Sequence, residues 1–319
     1  PPRSTLFPYT TLFRSNSEAY VQYTNDNLQA FLYLKNESGE ALTDITPIRP
    51  ACNRLKVGTF KIDAHNTKLG ERFIKKILDT ALDMKAEEIY VTIYPKHEGL
   101  IRILQRYGFN EEGKKGEELV LVKNMKILTG DILKDFPLLT TKDKRKFLLS
   151  IYPKYHTKMF PDSILRNEES KKYELVKDVS YTNSIHKVYL CFMSDTAKLQ
   201  RGDIIAIYRT KDDKGSARYR SVITSICQIE EVKTNKDFAT VEDFLAYTNF
   251  YSIFDSEELK QWYQQKNCYI LKMTYNIALT KRVTNGYLVD NLNMSPKYWG
   301  FFQLTDEQFD AILKKRRSR

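Results

Sequence analysis

Alternation of apolar and polar positions marks residues 21–23, 30–34 and 55–62 as strands, with Asn25-Asp26-Asn27 as a hairpin-type turn between the first two. At residue 69 the period changes. Leu69, Phe73, Ile77, Leu78, Ala81 and Leu82 recur at three-to-four spacing, which predicts a helix over 69–84. Residues 88–94 are β-branched and aromatic and read as a strand. Residues 99–107 read as a second helix with Leu100, Ile103 and Leu104 inward and Gly108 as its stop. Phe109 and residues 119–123 close this part as a hairpin across a turn at 111–118. The order β-β-β-α-β-α-β-β is mixed α/β.

Beyond residue 126, Pro137, Pro153 and Pro161 punctuate short helical pieces. One is expected over 142–150, where Lys142-Asp143-Lys144-Arg145-Lys146 reads as a solvated helix face. From Ile185 the texture turns to strands, at 188–193, 204–209, 219–231, 268–276 and 300–304. Small helices are expected at 238–247 and 255–264, the second capped by Asp255. Thr305 with Gln308 predicts a capping box on the last helix. Several strands with a few short helices predict a small β-barrel. The expected division is 1–15 without structure, 16–125 as a mixed α/β domain, 126–184 as a helical linker and 185–316 as the barrel.

A length of 319 residues accommodates two domains, and 42% hydrophobic content supplies cores that a disordered chain would lack. The net charge of +11 favours a polyanionic partner. The 4 cysteines (Cys52, Cys191, Cys227, Cys268) form no CxxC pair, and the 4 histidines stand at no ligand spacing from them. Neither a metal site nor a disulfide framework is expected, which fits a reducing, cytoplasmic setting. No apolar run is long enough for a membrane helix, so no membrane association is expected. Residues 6–15 resemble a translated sequencing adapter. They are expected to carry neither fold nor function, and the natural protein is expected to begin further upstream.

One segment carries chemistry. Thr67-Lys68-Leu69-Gly70-Glu71-Arg72 joins the strand ending at Ile62 to the first helix, and Leu104-Gln105-Arg106-Tyr107-Gly108-Phe109 ends the second. A loop opening onto a helix amino terminus offers converging N–H donors and a favourable dipole to a diphosphate. Together the two segments resemble the GNAT acetyltransferases. The resemblance implies a sheet splayed between the strand ending at Ile62 and the strand at 89–94, with acetyl-CoA in the gap and its pyrophosphate on residues 67–72. It further implies Lys61 or Ile62 as the oxyanion N–H donor and Tyr107 as the acid that protonates the leaving thiolate. No general base stands out: Asp63, His65, His97 and Glu98 read as solvated side chains. Thr67 and Arg72 depart from the family's Arg/Gln-x-x-Gly-x-Gly/Ala pattern, and the strand and two helices with which such domains begin are expected to be missing. The amine acceptor stays open.

A second resemblance lies further on. Arg201-Gly202-Asp203-Ile204 opening a strand, followed by Tyr219-Arg220-Ser221-Val222-Ile223, is similar to PUA-like domains of the ASCH and EVE type. It implies recognition of RNA or a modified nucleotide. Arg201, Arg209, Lys211, Arg218 and Arg220 are the candidate phosphate contacts, with Tyr208, Tyr219, Tyr247, Tyr298 and Trp299 as candidate stacking partners. Two other readings stay open: a catalytically silent first domain beside a nucleotide-binding second one, and a structural or protein-interaction module.

Overall fold

The computed structural model describes residues 7–9, 19–24, 27–62, 69–163 and 184–317. The chain forms two compact units, Pro1–Leu138 and Leu139–Arg319.

The first unit is built on a seven-stranded sheet of order β1-β2-β3-β4-β5-β7-β6. Its strands are β1 (Phe7–Tyr9), β2 (Ala19–Thr24), β3 (Asn27–Asn36), β4 (Arg54–Ile62), β5 (Glu88–Ile93), β6 (Asn110–Lys115) and β7 (Glu118–Asn124). β1 lies inside the adapter-like stretch expected to lack structure and pairs with β2 from Phe7↔Val21 to Tyr9↔Ala19. Helix α1 (Leu69–Asp83) buries Leu69, Phe73, Ile74, Ile77, Leu78 and Ala81. Its apolar stripe therefore runs through Ile74, while Leu82 at the stripe's edge is left exposed. Helix α2 (Glu98–Arg106) ends where Gly108 takes φ +86°, a left-handed conformation that glycine adopts without steric cost. A Cβ there would meet the Lys134 carbonyl oxygen at 2.3 Å, in the short helix α3 (Ile132–Asp135). The span at 111–118 is not one long turn: residues to Lys115 form edge strand β6, and only Gly116 and Glu117 turn. Thr46 lies along the outer rim of β6, exchanging both backbone hydrogen bonds with Lys114 at 2.8 Å. Gly113 makes room for it, since a Cβ would stand 2.5 Å from the Thr46 oxygen.

The second unit holds a six-stranded mixed sheet of order β13-β8-β10-β11-β12-β9. The strands are β8 (Lys146–Ile151), β9 (His186–Cys191), β10 (Ile204–Arg209), β11 (Val222–Thr234), β12 (Tyr269–Thr284) and β13 (Phe301–Leu304). The expected barrel is not formed. β13 and β9 stand at opposite ends of the order and do not pair with each other, so the ladder that would close a barrel is absent among the described residues. Both faces of the sheet carry apolar cores instead. Phe147, Leu149, Ile151, Ile205 and Ile207 belong to one cluster, and Leu148, Ile204, Ala206 and Tyr208 belong to the other. Residues 142–150 are not helical: β8 occupies their second half, parallel to β10 and antiparallel to β13. Helix α4 (Pro153–Met159) follows, and later helices span Ala217–Arg220, Val241–Thr248, Ser256–Tyr263, Asn285–Leu292 and Asp306–Arg317. The Thr305–Gln308 capping box forms in both directions, at 3.1 and 3.2 Å, as does one between Asp255 and Glu258.

Candidate functional site

β4 and β5 are parallel neighbours over four rungs only, from Arg54↔Glu88 to Val57↔Val91. Beyond that point β4 continues against β3 alone, as far as Ile62↔Ala30, and β5 continues against β7. The parting coincides with a bulge. The β3–β4 register passes from Leu34↔Val57 to Tyr33↔Thr59, so Gly58 has no opposite number. A Cβ on Gly58 would stand 2.6 Å from the Tyr33 ring, which explains the glycine. Burial changes at the same residue: Arg54, Leu55 and Val57 are buried, whereas Gly58, Thr59 and Lys61 are exposed. Two adjacent strands thus open into a wedge whose mouth lies toward the end of β4.

The closed end of the wedge is held by charge. Glu88 accepts from Nε of wholly buried Arg54 and from Nη2 of Arg49 at 2.6 Å, while Arg49 also reaches Glu112 at 2.7 Å. Arg54 spends its other donors on the carbonyls of Glu40 (2.9 Å) and Pro50 (2.7 Å), tying the 40–50 loop to the sheet. Burial alone would push the Glu88 carboxyl up, but the two guanidinium groups outweigh it and hold the carboxyl below its usual range.

At the mouth, Lys61 is exposed and Ile62 half-buried, with α1 starting at Leu69. Thr67 and Lys68 lie outside the described residues, with the rest of the 63–68 loop. Gly70 faces the protein and not open space: a Cβ would meet Ile103 Cδ1 of α2 at 2.9 Å and Ile62 Cδ1 at 3.6 Å. It therefore lets α1, α2 and the end of β4 converge. Leu69, Glu71 and Arg72 are buried, and Glu71 pairs with Arg106 of α2 at 3.4 Å. Tyr107 caps α2 with its side chain wholly buried, and its carbonyl accepts from Lys123 Nζ at 2.8 Å. That ammonium also donates to the Lys134 carbonyl. Burial lowers it to about 8, against the pull of Asp135. His97 and Glu98 are exposed. The sequence reading missed both Gly58 and the Arg54–Glu88 pair. A glycine inside a strand pattern was the available signal for the first; nothing local marks the second.

In the second unit the five basic candidates do not form one patch. Arg209, at the end of β10, is wholly buried. Arg218 makes a two-pronged pair with Asp290, and Arg220 another with Asp212. The Arg220 guanidinium holds the Asp212 carboxyl down to about 2. Lys211 and Arg201 remain exposed. Arg201 donates to the Glu230 carbonyl at 3.2 Å and lines an open cleft of about 600 Å³ with Gln200, Glu230, Glu231 and Lys272. Among the aromatics, Tyr208 is buried and stacked on Trp299, Tyr247 donates to Glu231 at 2.7 Å, and Tyr219 and Tyr298 are exposed. No group of metal-ligating side chains occurs among the described residues, and no helix among them is long and apolar enough to cross a membrane.

No family model matches the chain, and no curated protein matches it. Solved structures of two kinds are similar to parts of it. ASCH from Zymomonas mobilis aligns at 9% identity and TM-score 0.36, over 54% of this chain and 96% of that one. A GNAT family acetyltransferase from Elizabethkingia anophelis with acetyl-CoA bound aligns at 14% identity and TM-score 0.28, over 38% and 97%. The PaiA N-acetyltransferase from Thermoplasma acidophilum in complex with coenzyme A aligns at 11% and 0.27, this chain spanning 60% of that protein's length. The chain thus has partial, low-identity structural similarity to both groups.

Proposed function

We propose that the first unit transfers an acetyl group from acetyl-CoA to an amine, and that the second recognises RNA or a modified nucleotide. The observation that carries the first half is the wedge between β4 and β5, which opens at Gly58 beside the amino end of α1. A wedge of this kind gives an extended pantetheine backbone unpaired strand edges to bind, and the helix start favours the negative diphosphate at its end. The residues that would hold the cofactor are Lys61 and Ile62 on β4 and the run Thr67, Lys68, Leu69, Gly70, Glu71 and Arg72. A backbone N–H of Lys61 or Ile62 would stabilise the oxyanion formed when the amine adds to the thioester carbonyl, and Tyr107 would supply the proton to the departing thiolate.

Acetyl-CoA titrated calorimetrically into the full chain tests binding, and release of free thiol in the presence of polyamine and peptide amines tests transfer. Absence of acetyl-CoA binding would overturn the reading. The burial of Tyr107 favours a second reading, in which acetyl-CoA binds without turnover and the second unit carries the function. Tyr107→Phe separates the two: a loss of at least tenfold in kcat at unchanged KM supports transfer, and binding with no thiol release in either protein supports the silent unit.

A further inference from the structure

The interior of the second unit contains a chain of polar side chains that neither reading uses. Tyr275 OH lies 2.8 Å from Ser163 Oγ, which lies 2.8 Å from Ser225 Oγ. Ser225 Oγ is 3.2 Å from Thr224 Oγ1, and Thr224 Oγ1 is 2.7 Å from His156 Nε2. His156, Ser163, Thr224 and Ser225 are wholly buried, and Tyr275 is nearly so. The chain of contacts ends on an unsatisfied atom: His156 Nδ1 has no hydrogen-bond partner. A buried polar nitrogen without a partner costs about 1–3 kcal/mol, so its retention calls for a reason.

The surroundings supply one. Burial, and then the charges of Arg209 and Arg282, hold His156 neutral, well below the usual histidine value. Arg209 is wholly buried and Lys187, equally buried, lies with its ammonium 5.6 Å from the Tyr275 ring centroid. A neutral imidazole in a positive field is suited to donate a hydrogen bond to an anion. If the hydroxyl protons run from Tyr275 through Ser163, Ser225 and Thr224 to Nε2, the ring hydrogen stands on Nδ1.

We propose that His156 Nδ1, with the guanidinium groups of Arg209 and Arg282, binds a phosphate group inside the second unit. The class of ligand rests on the reading of that unit as a nucleotide-recognising one, while the site itself rests on this geometry. Neutral His156 donates from Nδ1, and the two arginines supply the charge, a combination that discriminates oxyanions from neutral ligands. Because the ring and its partners are closed off from solvent, entry requires a local opening and association is slow for so small a ligand.

The test is calorimetric titration of the full chain with inorganic phosphate and, separately, with adenosine 5′-monophosphate, at low ionic strength. Glutamine at position 156 can keep the Thr224 hydrogen bond while losing the Nδ1 donor. His156→Gln is therefore expected to fold and to bind at least tenfold more weakly. Much tighter binding of the nucleotide than of phosphate identifies a nucleotide as the ligand; equal affinities identify free phosphate. No binding of either by the unsubstituted chain, or equal affinity in His156→Gln, overturns the proposal. Should His156→Gln fail to fold, the Nδ1 resonance of His156 in the unsubstituted protein decides: a shift on saturation with phosphate supports the site, and an unmoved resonance sinks it. Retention on RNA is measured in parallel. Its absence speaks against nucleotide recognition in general and leaves the phosphate titration to judge this site.

Discussion

Replacing Glu88 by alanine removes the only carboxylate recorded on the Arg54 guanidinium, at the closed end of the β4–β5 wedge. Arg54 has no exposed surface and cannot turn to water. Its contacts to the Glu40 and Pro50 carbonyls survive, but neither neutralises the charge. Stripping one partner from a buried ion pair costs about 3–5 kcal/mol, a large share of the about 5–15 kcal/mol that holds a typical domain. Glu88→Gln, which keeps an acceptor, should lose less. Arg54→Met combined with Glu88→Met should recover much of the loss, because no charge is then left buried. The pair also gives a pH signature. Since the folded Glu88 carboxyl lies below its unfolded value, its stabilisation is fully present above about pH 4.5 and disappears as pH falls through the folded value. The assay is urea unfolding followed by hydrogen exchange on peptides covering 54–57 and 88–91. Tryptophan fluorescence serves as an internal control, because Trp262 and Trp299, the 2 tryptophans, both lie in the second unit. A Glu88→Ala protein within about 0.5 kcal/mol of the parent, or a double variant as unstable as the single one, would refute the reasoning.

Three further outcomes are expected. Burial lowers Lys123 from 10.5 to about 8, so between those values the unfolded chain holds a proton that the folded one lacks, and stability should climb with pH by up to about 3 kcal/mol; Lys123→Met should abolish that climb in pH-dependent unfolding, and parallel profiles would contradict it. Cys191, Cys227 and Cys268 are buried and only Cys52 is partly exposed, so a thiol reagent should label Cys52 first, and the others only on unfolding, as peptide mapping would show. Asp255→Ala removes a cap that accepts from the Glu258 N–H at 2.8 Å; it should cost about 1 kcal/mol, read from the fluorescence of Trp262 within that helix.

The first unit was largely legible because its elements are amphipathic. Helix α1 begins at the predicted residue and ends one residue short of prediction, and β5 differs by one residue, since one face of each is apolar and the other polar. β6 escaped because Asn110-Glu111-Glu112-Gly113-Lys114-Lys115 is polar on both faces, as an outermost strand can be. β8 escaped for the opposite reason. Phe147-Leu148-Leu149 sends side chains into two cores at once, so no alternation survives to show the strand. The same double covering explains Arg209: at the end of Ile204-Ile205-Ala206-Ile207-Tyr208 it reads as the solvated tip of a strand, yet it lies inside. The barrel expectation failed at a level that local pattern does not reach, since strand count is written in the residues and closure is not. Gly70 was legible as a required glycine, but its reason is the approach of Ile103 and not an open path to a ligand.

The contact of Thr46 with Lys114 bears on self-association. An outermost strand offers free amide and carbonyl groups on which a neighbouring molecule can template itself. Here that docking rail is occupied by the molecule's own loop, and Glu111, Glu112, Lys114 and Lys115 repel or solvate whatever remains. The space left at Gly113 is what keeps the guard in place. Any side chain there would lever Thr46 away and bare the rail, turning a residue remote from all proposed chemistry into a determinant of whether concentrated protein stays in solution.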